Sequence, residues 1–217
     1  MRSKLQIALD DITLENALKL LEKVHGDIDI VEVGTPFMME YGMEAVRKIK
    51  TTFSDVEVLC DAKIMDAGSY EAQLAFDAGA DYVTVLGVTD DLTIVDCMAA
   101  AKKAGRKIMV DMICVQNLPE RIAKIESLGV DVIAVHTGVD QQAAGRTPLD
   151  DLKEMRQCVK ATGLAVAGGI SCKTIDEYLK YAPEIIIVGS GIARAEDPVK
   201  AAQDLAKKIQ AYDGEEA

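Results

Sequence analysis

The sequence contains no tryptophan, only three phenylalanines and only two histidines. Two histidines are too few for a zinc site built from several imidazoles, so that class of metalloenzyme is excluded. Long apolar runs are also missing. None approaches the roughly 18 residues of a membrane-spanning helix, and Asp10 interrupts the N-terminal segment before it reaches the length of a signal-peptide core. We therefore expect a cytoplasmic protein that does not enter a membrane.

Basic residues are in the minority, with 24 Lys and Arg against 36 Asp and Glu and a net charge of −12. No cluster of Lys or Arg stands out, so neither a nucleic acid nor an anionic membrane is expected as a partner. The number of cysteines is odd and no Cys-x-x-Cys pair occurs, which favours reduced thiols over a disulfide framework. The cysteines are Cys60, Cys97, Cys114, Cys158 and Cys172.

The chain is rich in short apolar runs of Val and Ile, which alternate with amphipathic segments. Nearly continuous apolar character is typical of parallel strands that are covered on both faces. The predicted strands are 5–10, 28–34, 56–64, 82–87, 107–113, 132–138, 164–170 and 185–192. Helices are predicted between them, among others over 14–24, 91–105, 118–129 and 197–212, with Thr13 and Thr174 as N-cap residues.

Eight strand-then-helix units without an intervening linker predict a single domain. With right-handed crossovers, such units close most naturally into a (β/α)8 TIM barrel, here over residues 1–212. A doubly wound open sheet is the alternative, although it commonly has five or six strands. The acidic tail, residues 213–217, is expected to be frayed.

Ionisable residues fall where a barrel places its chemistry, at the carboxyl ends of the strands. Charged side chains are seldom buried without partners. Their convergence on one rim therefore predicts an active site rather than a set of separate structural ion pairs. These residues are Asp10, Glu32, Asp61, Lys63, Asp111 and His136.

The segment DAKIMDAG, residues 61–68, holds the densest part of this set. Asp61 and Lys63 are two positions apart and point to the same side of a strand, and Asp66 follows just past it. Nearby carboxylates favour the charged form of a lysine. Lys63 is therefore interpreted as an ammonium that stabilises negative charge or donates a proton, not as a Schiff-base lysine.

Metal binding and proton transfer are the roles predicted for three other strand-end residues. Glu32 and Asp61 are hard oxygen ligands suited to Mg²⁺, with Mn²⁺ as the alternative ion. The other interpretation is that both simply neutralise Lys63. His136 is the one histidine at a predicted strand end, and histidine suits general-base chemistry near neutral pH. A structural hydrogen bond is the alternative role for His136.

Glycine pairs end the seventh and eighth predicted strands, in AGGI (167–170) and VGSGI (188–192). In many barrels the backbone N–H groups of these two loops hold a phosphate, and glycine leaves room for the oxyanion. An acidic protein can hold an anionic substrate in this way, through amides. The predicted phosphate-binding residues are Gly168, Gly169, Gly189, Ser190 and Gly191.

The segment DAKIMD matches the D-x-K-x-x-D motif of a barrel group that includes orotidine monophosphate decarboxylase, 3-keto-L-gulonate-6-phosphate decarboxylase and 3-hexulose-6-phosphate synthase. The resemblance covers nearly the whole chain, and the chain is most similar to the synthases. The segments that carry it are LQIALD, VEVGTP, DAKIMDAG, TVLGV, VDMI, HTGVDQQAAG, AVAGGI and VGSGI.

This resemblance implies a carbon–carbon lyase, an aldehyde-lyase, that adds formaldehyde reversibly to D-ribulose 5-phosphate. It implies that Mg²⁺ is held by Glu32 and Asp61. It further implies that His136 removes the C1 proton of the substrate and that Lys63 stabilises the resulting cis-enediolate.

The resemblance also implies a homodimer with shared active sites, in which Asp66 reaches the site of the partner subunit. Asp10 and Asp111 are weaker candidates, for contacts to substrate hydroxyls or to metal-bound water. The glycine loops would hold the phosphate of the substrate.

Departures from the patterns of the group distinguish between its members. The orotidine enzyme is metal-free and has a lysine where this chain has Glu32. The ketogulonate decarboxylases have arginine where this chain has Val139 and Ser190, and threonine where it has Ala167. A decarboxylase that uses the same enediolate is therefore the alternative function. The shortage of histidines disfavours a metal-dependent epimerase, and the intact polar set disfavours a non-catalytic binding barrel.

Overall fold

The chain forms a closed barrel of eight parallel strands. A computed structural model describes residues 2–215, and side chains as far as Tyr212. The strands follow each other in chain order around the barrel, and the last pairs with the first, where Lys4 lies opposite Ile185. Helices alternate with the strands. The predicted TIM barrel is confirmed.

The strands are β1 (Lys4–Leu9), β2 (Ile30–Val33), β3 (Glu57–Ile64), β4 (Tyr82–Leu86), β5 (Lys107–Asp111), β6 (Val132–His136), β7 (Gly163–Ala167) and β8 (Ile185–Val188). The helices are α1 (Leu14–Val24), α2 (Thr35–Tyr41), α3 (Met43–Thr52), α4 (Gly68–Asp77), α5 (Asp91–Ala104), α6 (Leu118–Ser127), α7 (Val139–Ala143), α8 (Pro148–Cys158), α9 (Ile175–Leu179), α10 (Ser190–Ala193) and α11 (Pro198–Glu215). Between residues 2 and 215, no helix combines the length and apolar character needed to cross a membrane.

Most of the predicted strands run past the observed ones at their carboxyl ends. Residues beyond the last ladder position stay apolar because the loops cover the barrel, so Met112 and Ile170 are buried although they follow β5 and β7. The bounds predicted for α1 are confirmed, and the Thr13 hydroxyl accepts the N–H of Asn16 at 3.3 Å. Thr174 is the N-cap residue of α9, as predicted, but its hydroxyl accepts the N–H of Ser171 and makes no side-chain capping bond.

The end of the chain falls partly outside the described residues. The predicted tail comprises residues 213–217, whereas the backbone of α11 is helical to Glu215 and residues 216–217 are not described.

Two apolar clusters make up the core, as expected for strands covered on both faces. One fills the space between the barrel and its helices and includes Leu21, Val46 and Ile94. The other fills the inside of the barrel, with Ala8, Ile30, Leu59, Tyr82, Met109, Val132, Ala134, Ala165, Ile185 and Ile187. The interior is therefore closed by side chains, and polar groups gather above this cluster at the carboxyl ends of the strands.

At the end of the barrel where the strands begin, a repeated contact ties β2, β4 and β6 each to the preceding strand. An aspartate stands immediately before β2, β4 and β6, and its carboxylate accepts a backbone N–H of the preceding strand. The pairs are Asp29 with Leu5 (2.8 Å), Asp81 with Val58 (2.8 Å) and Asp131 with Ile108 (2.9 Å). These bonds fix the relative height of neighbouring strands, and so they also fix which residues reach the upper rim.

Candidate active site

An irregular stretch of β3 brings the first two site residues together. Cys60 lies opposite Val83 of β4 and Ile64 lies opposite Val85, so β3 takes four steps where β4 takes two. Such a bulge re-aims side chains. Lys63 lies inside it with a left-handed φ of 47°, which is uncommon for a residue with a side chain. The sequence prediction that Asp61 and Lys63 meet is correct, but a bulge and not a regular strand brings them together.

Asp61 is buried, and neighbouring donors hold both of its carboxylate oxygens. The Lys63 ammonium donates to Oδ2 at 2.5 Å, and the Thr35 hydroxyl donates to the same oxygen at 2.8 Å. The Thr84 hydroxyl donates to Oδ1 at 2.8 Å. A carboxylate held by three donors has a fixed orientation, which suits a metal ligand or a group that must face a substrate.

Asp111 and His136 form a second pair next to the first. Nδ1 of His136 lies 2.8 Å from Oδ2 of Asp111, and the other carboxylate oxygen accepts the N–H of Ile113 at 2.9 Å. Burial by itself raises the pKa of Asp111, but the hydrogen bond and charge of His136 outweigh it, with Lys63 helping, and the pKa is lowered. An ionised Asp111 keeps the proton of the imidazole on Nδ1, so Nε2 is left with a lone pair that can accept a proton.

Lys63 links the two pairs, because its ammonium also lies 3.3 Å from Oδ2 of Asp111. Burial by itself lowers the pKa of Lys63, but the charges of Asp61 and Asp111 outweigh it and raise the pKa to about 12. The lysine is therefore a permanent cation near neutral pH, as the sequence predicts. A cation of this kind stabilises negative charge that develops on a bound molecule.

Glu32 lies in the interior of the barrel, where it is almost fully enclosed. The Gln6 side-chain amide donates to its Oε2 at 2.5 Å. Burial, and next the charge of Asp61, raise the pKa of Glu32 well above its ordinary value. Crowding of like charges in a buried space disfavours both ions at once. A bound cation would relieve this repulsion.

The donor set fits a divalent cation that takes some of its ligands from elsewhere. Among the described residues, no group of three or more His, Cys, Asp or Glu side chains forms a complete metal site. Glu32 and Asp61 would supply two carboxylates, and Mg²⁺ commonly takes one or two together with water and substrate oxygens. Oε1 of Gln6 is buried without a hydrogen-bond partner in the described part of the chain, so this corner also holds an unused acceptor.

Asp10 follows β1 at the mouth of the barrel. Desolvation, and next the charge of Asp61, raise the pKa of Asp10. Its side chain lies against Gly34, where an added Cβ would stand 2.0 Å from Oδ1 of Asp10. Glycine at position 34 therefore gives the carboxylate its place beside the site.

The glycine loops after β7 and β8 meet each other. Gly168 and Gly169 have left-handed φ angles of 121° and 66°, which side chains disfavour. A Cβ at Gly191 would lie 2.4 Å from the carbonyl oxygen of Ile170, so the second loop packs closely against the first. Gly189 and Ser190 stand at the start of α10. The five residues predicted to bind phosphate thus belong to one pair of adjoining loops.

A separate cavity of about 430 Å³ lies between the loops after β4 and β5, and it does not include the carboxylate cluster. Its arginine, Arg121, donates to Gly87 O, Thr89 O and Asp91 Oδ1. Its lysine, Lys124, lies 3.4 Å from Asp91. Since both cations already have acceptors, this cavity is a poor site for a phosphate.

Asp66 is the one predicted catalytic residue that the structure leaves outside the cluster. It is exposed, and its Oδ1 accepts the N–H of Ala67 at 2.7 Å. Sequence reasoning also missed three residues that touch the cluster, namely Gln6, Thr35 and Thr84. Gln6 carried a signal, since it shares one face of an otherwise apolar strand with Ala8 and Asp10. The threonines carried none, because threonine is common in strands and at helix starts.

Comparisons with known proteins show what the chain is similar to. The model of the Orotidine 5'-phosphate decarboxylase / HUMPS family matches residues 3–205. A 3-hexulose-6-phosphate synthase of Staphylococcus epidermidis is 44% identical over 95% of this chain and 99% of that protein. The crystal structure of 3-hexulose-6-phosphate synthase from Salmonella typhimurium superposes with a TM-score of 0.95 at 52% identity, covering 96% of this chain and 99% of that one. A 3-keto-L-gulonate-6-phosphate decarboxylase from Vibrio cholerae superposes at 0.86 with 26% identity, over 98% and 99% of the two chains.

Proposed function

The chain belongs to the Orotidine 5'-phosphate decarboxylase / HUMPS family, and from that membership we propose that it catalyses the reversible aldol addition of formaldehyde to D-ribulose 5-phosphate. This is the reaction of the 3-hexulose-6-phosphate synthases. The synthases of Staphylococcus epidermidis and Salmonella typhimurium match the chain over nearly its full length, at 44% and 52% identity respectively. In this proposal the chain is an aldehyde-lyase. It is also cytoplasmic, as its composition predicts. The observation that carries the mechanism is the unbroken set of contacts from His136 through Asp111 and Lys63 to Asp61.

His136 is the base in this proposal. Nε2 takes the C1 proton of D-ribulose 5-phosphate, and the electron pair of the broken C–H bond forms a cis-enediolate. Asp111 holds the ring by Nδ1 and stabilises the imidazolium that results. C1 then attacks the carbonyl carbon of formaldehyde, a C–C bond forms, and the aldehyde oxygen takes the proton back from His136. Atoms and charges balance, and the site returns to its starting state.

Lys63 and the carboxylates have different electrostatic roles in this proposal. The Lys63 ammonium, fixed between Asp61 and Asp111, neutralises negative charge that develops on the enediolate oxygens. Glu32 and Asp61 are the residues that would hold a divalent cation, with Mg²⁺ favoured and Mn²⁺ as the alternative. Such an ion would act as a Lewis acid toward substrate oxygens. Asp10, whose charge interacts with those of Asp61 and Lys63, is assigned to a contact with a substrate hydroxyl.

The phosphate of the substrate is assigned to the adjoining loops after β7 and β8. The left-handed angles of Gly168 and Gly169 and the close approach of Gly191 to Ile170 support this assignment. Gly189 and Ser190 complete the group. Backbone amides of such loops bind an oxyanion without a basic side chain, which agrees with the strongly acidic character of the protein.

A homodimer with shared sites is the arrangement proposed for Asp66. The carboxylate is exposed and lies outside the cluster of its own chain, so it is free to reach the site of a second copy. Exposed apolar side chains occur in the same loop and on neighbouring elements, which favours a protein contact. In the loops after β3 and β4 and on α4 and α5, they are Met65, Tyr70, Leu74, Val88, Leu92 and Val95.

Three positions support the synthase over the decarboxylase. Val139 is exposed at the start of α7, three residues after His136, where decarboxylases of the group carry an arginine. Ala167 and Ser190 likewise replace a threonine and an arginine. An arginine beside the base suits a substrate with an extra carboxylate. Valine leaves that place apolar, which suits an uncharged aldehyde.

The test is a Mg²⁺-supplemented assay that follows formaldehyde consumption with D-ribulose 5-phosphate, in parallel with CO₂ release from 3-keto-L-gulonate 6-phosphate. We expect rapid loss of formaldehyde and little CO₂. His136→Gln is the matched control, because it keeps the volume and polarity of the side chain but removes the base. Rapid CO₂ release without formaldehyde consumption would replace the proposal by the decarboxylase.

A further inference from the structure

Thr84 is a buried polar residue on β4, opposite the irregular stretch of β3. Its exposure is 4%, and it stands between Val83 and Val85, the two residues that pair with the ends of the bulge. A buried hydroxyl in this position needs partners for both its oxygen and its hydrogen.

Both partners belong to the D-x-K-x-x-D segment. The backbone N–H of Lys63 lies 2.9 Å from the Thr84 hydroxyl oxygen, and the hydroxyl lies 2.8 Å from Oδ1 of Asp61. The directions of these bonds are fixed, since a backbone N–H can only donate and a carboxylate can only accept. The single hydroxyl hydrogen therefore points at Asp61, and the oxygen receives Lys63.

Lys63 needs such support because its backbone is in an unfavourable conformation. Its φ of 47° is left-handed, and a residue with a Cβ holds this conformation only where its surroundings impose it. The Thr35 hydroxyl also contacts Asp61, at the carboxylate Oδ2 and at the backbone carbonyl oxygen of Asp61, but those contacts do not include Lys63. Thr84 is the side chain that joins the carboxylate to the backbone of the lysine.

We propose that Thr84 is a positioning residue for the aldol reaction: its hydroxyl fixes the bulge of β3 so that the Lys63 ammonium and the Asp61 carboxylate face one substrate together. The inference rests on the proposed function. Thr84 does not act on the substrate itself. It acts through Lys63, whose charge is useful only where the enediolate oxygens form.

Thr84→Val tests this proposal, because valine has nearly the same shape and lacks the hydroxyl. We expect kcat for formaldehyde addition to fall by roughly 10- to 100-fold, since small displacements of a charged group cost rate on that scale. The KM for D-ribulose 5-phosphate should change less, because the phosphate loops are untouched. The rate of C1 proton exchange without formaldehyde should fall by the same factor as kcat, since both reactions pass through the enediolate. Thr84→Ser should stay within about threefold of the wild type, because it keeps the hydroxyl.

Ser3→Ala is the matched control, because Ser3 is also buried and donates to Pro183 O at 2.7 Å at the other end of the barrel. It should lose stability but keep kcat. If Thr84→Val does not fold, the kcat of Thr84→Ala is compared with that of Thr84→Ser, since these two variants also differ in the hydroxyl. A Thr84→Val enzyme with wild-type kcat and only a lower Tm would overturn the proposal for Thr84 alone. A wild-type protein that consumes no formaldehyde would overturn the proposed function, and the role of Thr84 with it.

Discussion

Oδ2 of Asp111 lies 2.8 Å from Nδ1 of His136 and 3.3 Å from the ammonium of Lys63. One carboxylate oxygen thus serves both the proposed base and the proposed charge stabiliser. The sequence predicts Asp111 only as a weaker candidate, for contacts to substrate hydroxyls or to metal-bound water. Its contacts in the structure support a different role, the orientation of His136.

Replacing Asp111 by asparagine should therefore slow proton removal. An asparagine at this position has no charge to stabilise the imidazolium or to keep the proton on Nδ1, and we expect C1 proton exchange to fall about 100-fold. Exchange is measured by NMR in D₂O with D-ribulose 5-phosphate. His136→Gln gives the rate without a base. Asp55→Asn is the control, because it removes the carboxylate 2.9 Å from the other histidine, His25, on the surface. Wild-type exchange in Asp111→Asn would contradict the orienting role.

Sharing of active sites predicts complementation between two inactive variants. Lys63→Ala loses its own site, and Asp66→Asn loses the site of its partner. A heterodimer of the two restores one of its two sites, so purified heterodimers should have roughly half of the wild-type activity, and an unseparated random mixture roughly a quarter. The activity is measured on heterodimers purified with two different affinity tags. No activity in verified heterodimers would show that Asp66 acts within its own chain or not at all.

Glu32→Gln should raise the stability of the metal-free protein and weaken its binding of metal. Burial and the charge of Asp61 raise the pKa of Glu32, so an ionised Glu32 destabilises the metal-free fold, and a neutral side chain of equal size removes this cost. We expect the metal-free variant to have a larger free energy of unfolding than the metal-free wild type. It should bind Mg²⁺ much more weakly by calorimetry. Glu22→Gln, at an exposed position of α1, is the control. Unchanged Mg²⁺ affinity would remove Glu32 from the ligand set.

The stability contributed by Glu126 should depend on pH. Its Oε1 accepts three backbone N–H groups, from Lys160 (2.8 Å), Ala161 (2.8 Å) and Thr162 (3.1 Å). Slight burial raises its pKa, but these bonds outweigh it and the pKa is lowered. A lowered pKa in the folded state means that the stabilisation is present above the unfolded pKa and is lost as the pH falls through the folded one.

Glu126→Ala should therefore cost about 1 kcal/mol near neutral pH, allowing for solvent screening of a partly exposed group. The difference from the wild type should shrink below the unfolded pKa of about 4.3. Urea unfolding near neutral pH and again below the unfolded pKa measures this difference in the free energy of unfolding. Glu154→Ala, at an exposed position of α8, is the control. A cost that does not change with pH would mean that the charge of Glu126 contributes nothing.

Much of the site could be predicted because the barrel topology fixes where strand ends meet. Eight apolar runs separated by amphipathic segments determine the (β/α)8 barrel, and the parallel order then places Glu32, Asp61, Asp111 and His136 on one rim. The strand ends themselves were predicted too long, because residues such as Met112 remain buried beneath the loops after the ladder has ended. Apolar character reports burial, and it does not report the last hydrogen bond of a strand.

The sequence by itself determined the fold, the polar residues at the strand ends and the family, since each depends on residue types in a fixed order. The tertiary structure alone decided how those residues are held. The bulge that turns Lys63 into the left-handed region depends on the register between β3 and β4, and no local pattern of side chains records a register. Thr84 and Gln6 became part of the site for the same reason, because their partners are distant in the chain and adjacent only across neighbouring strands.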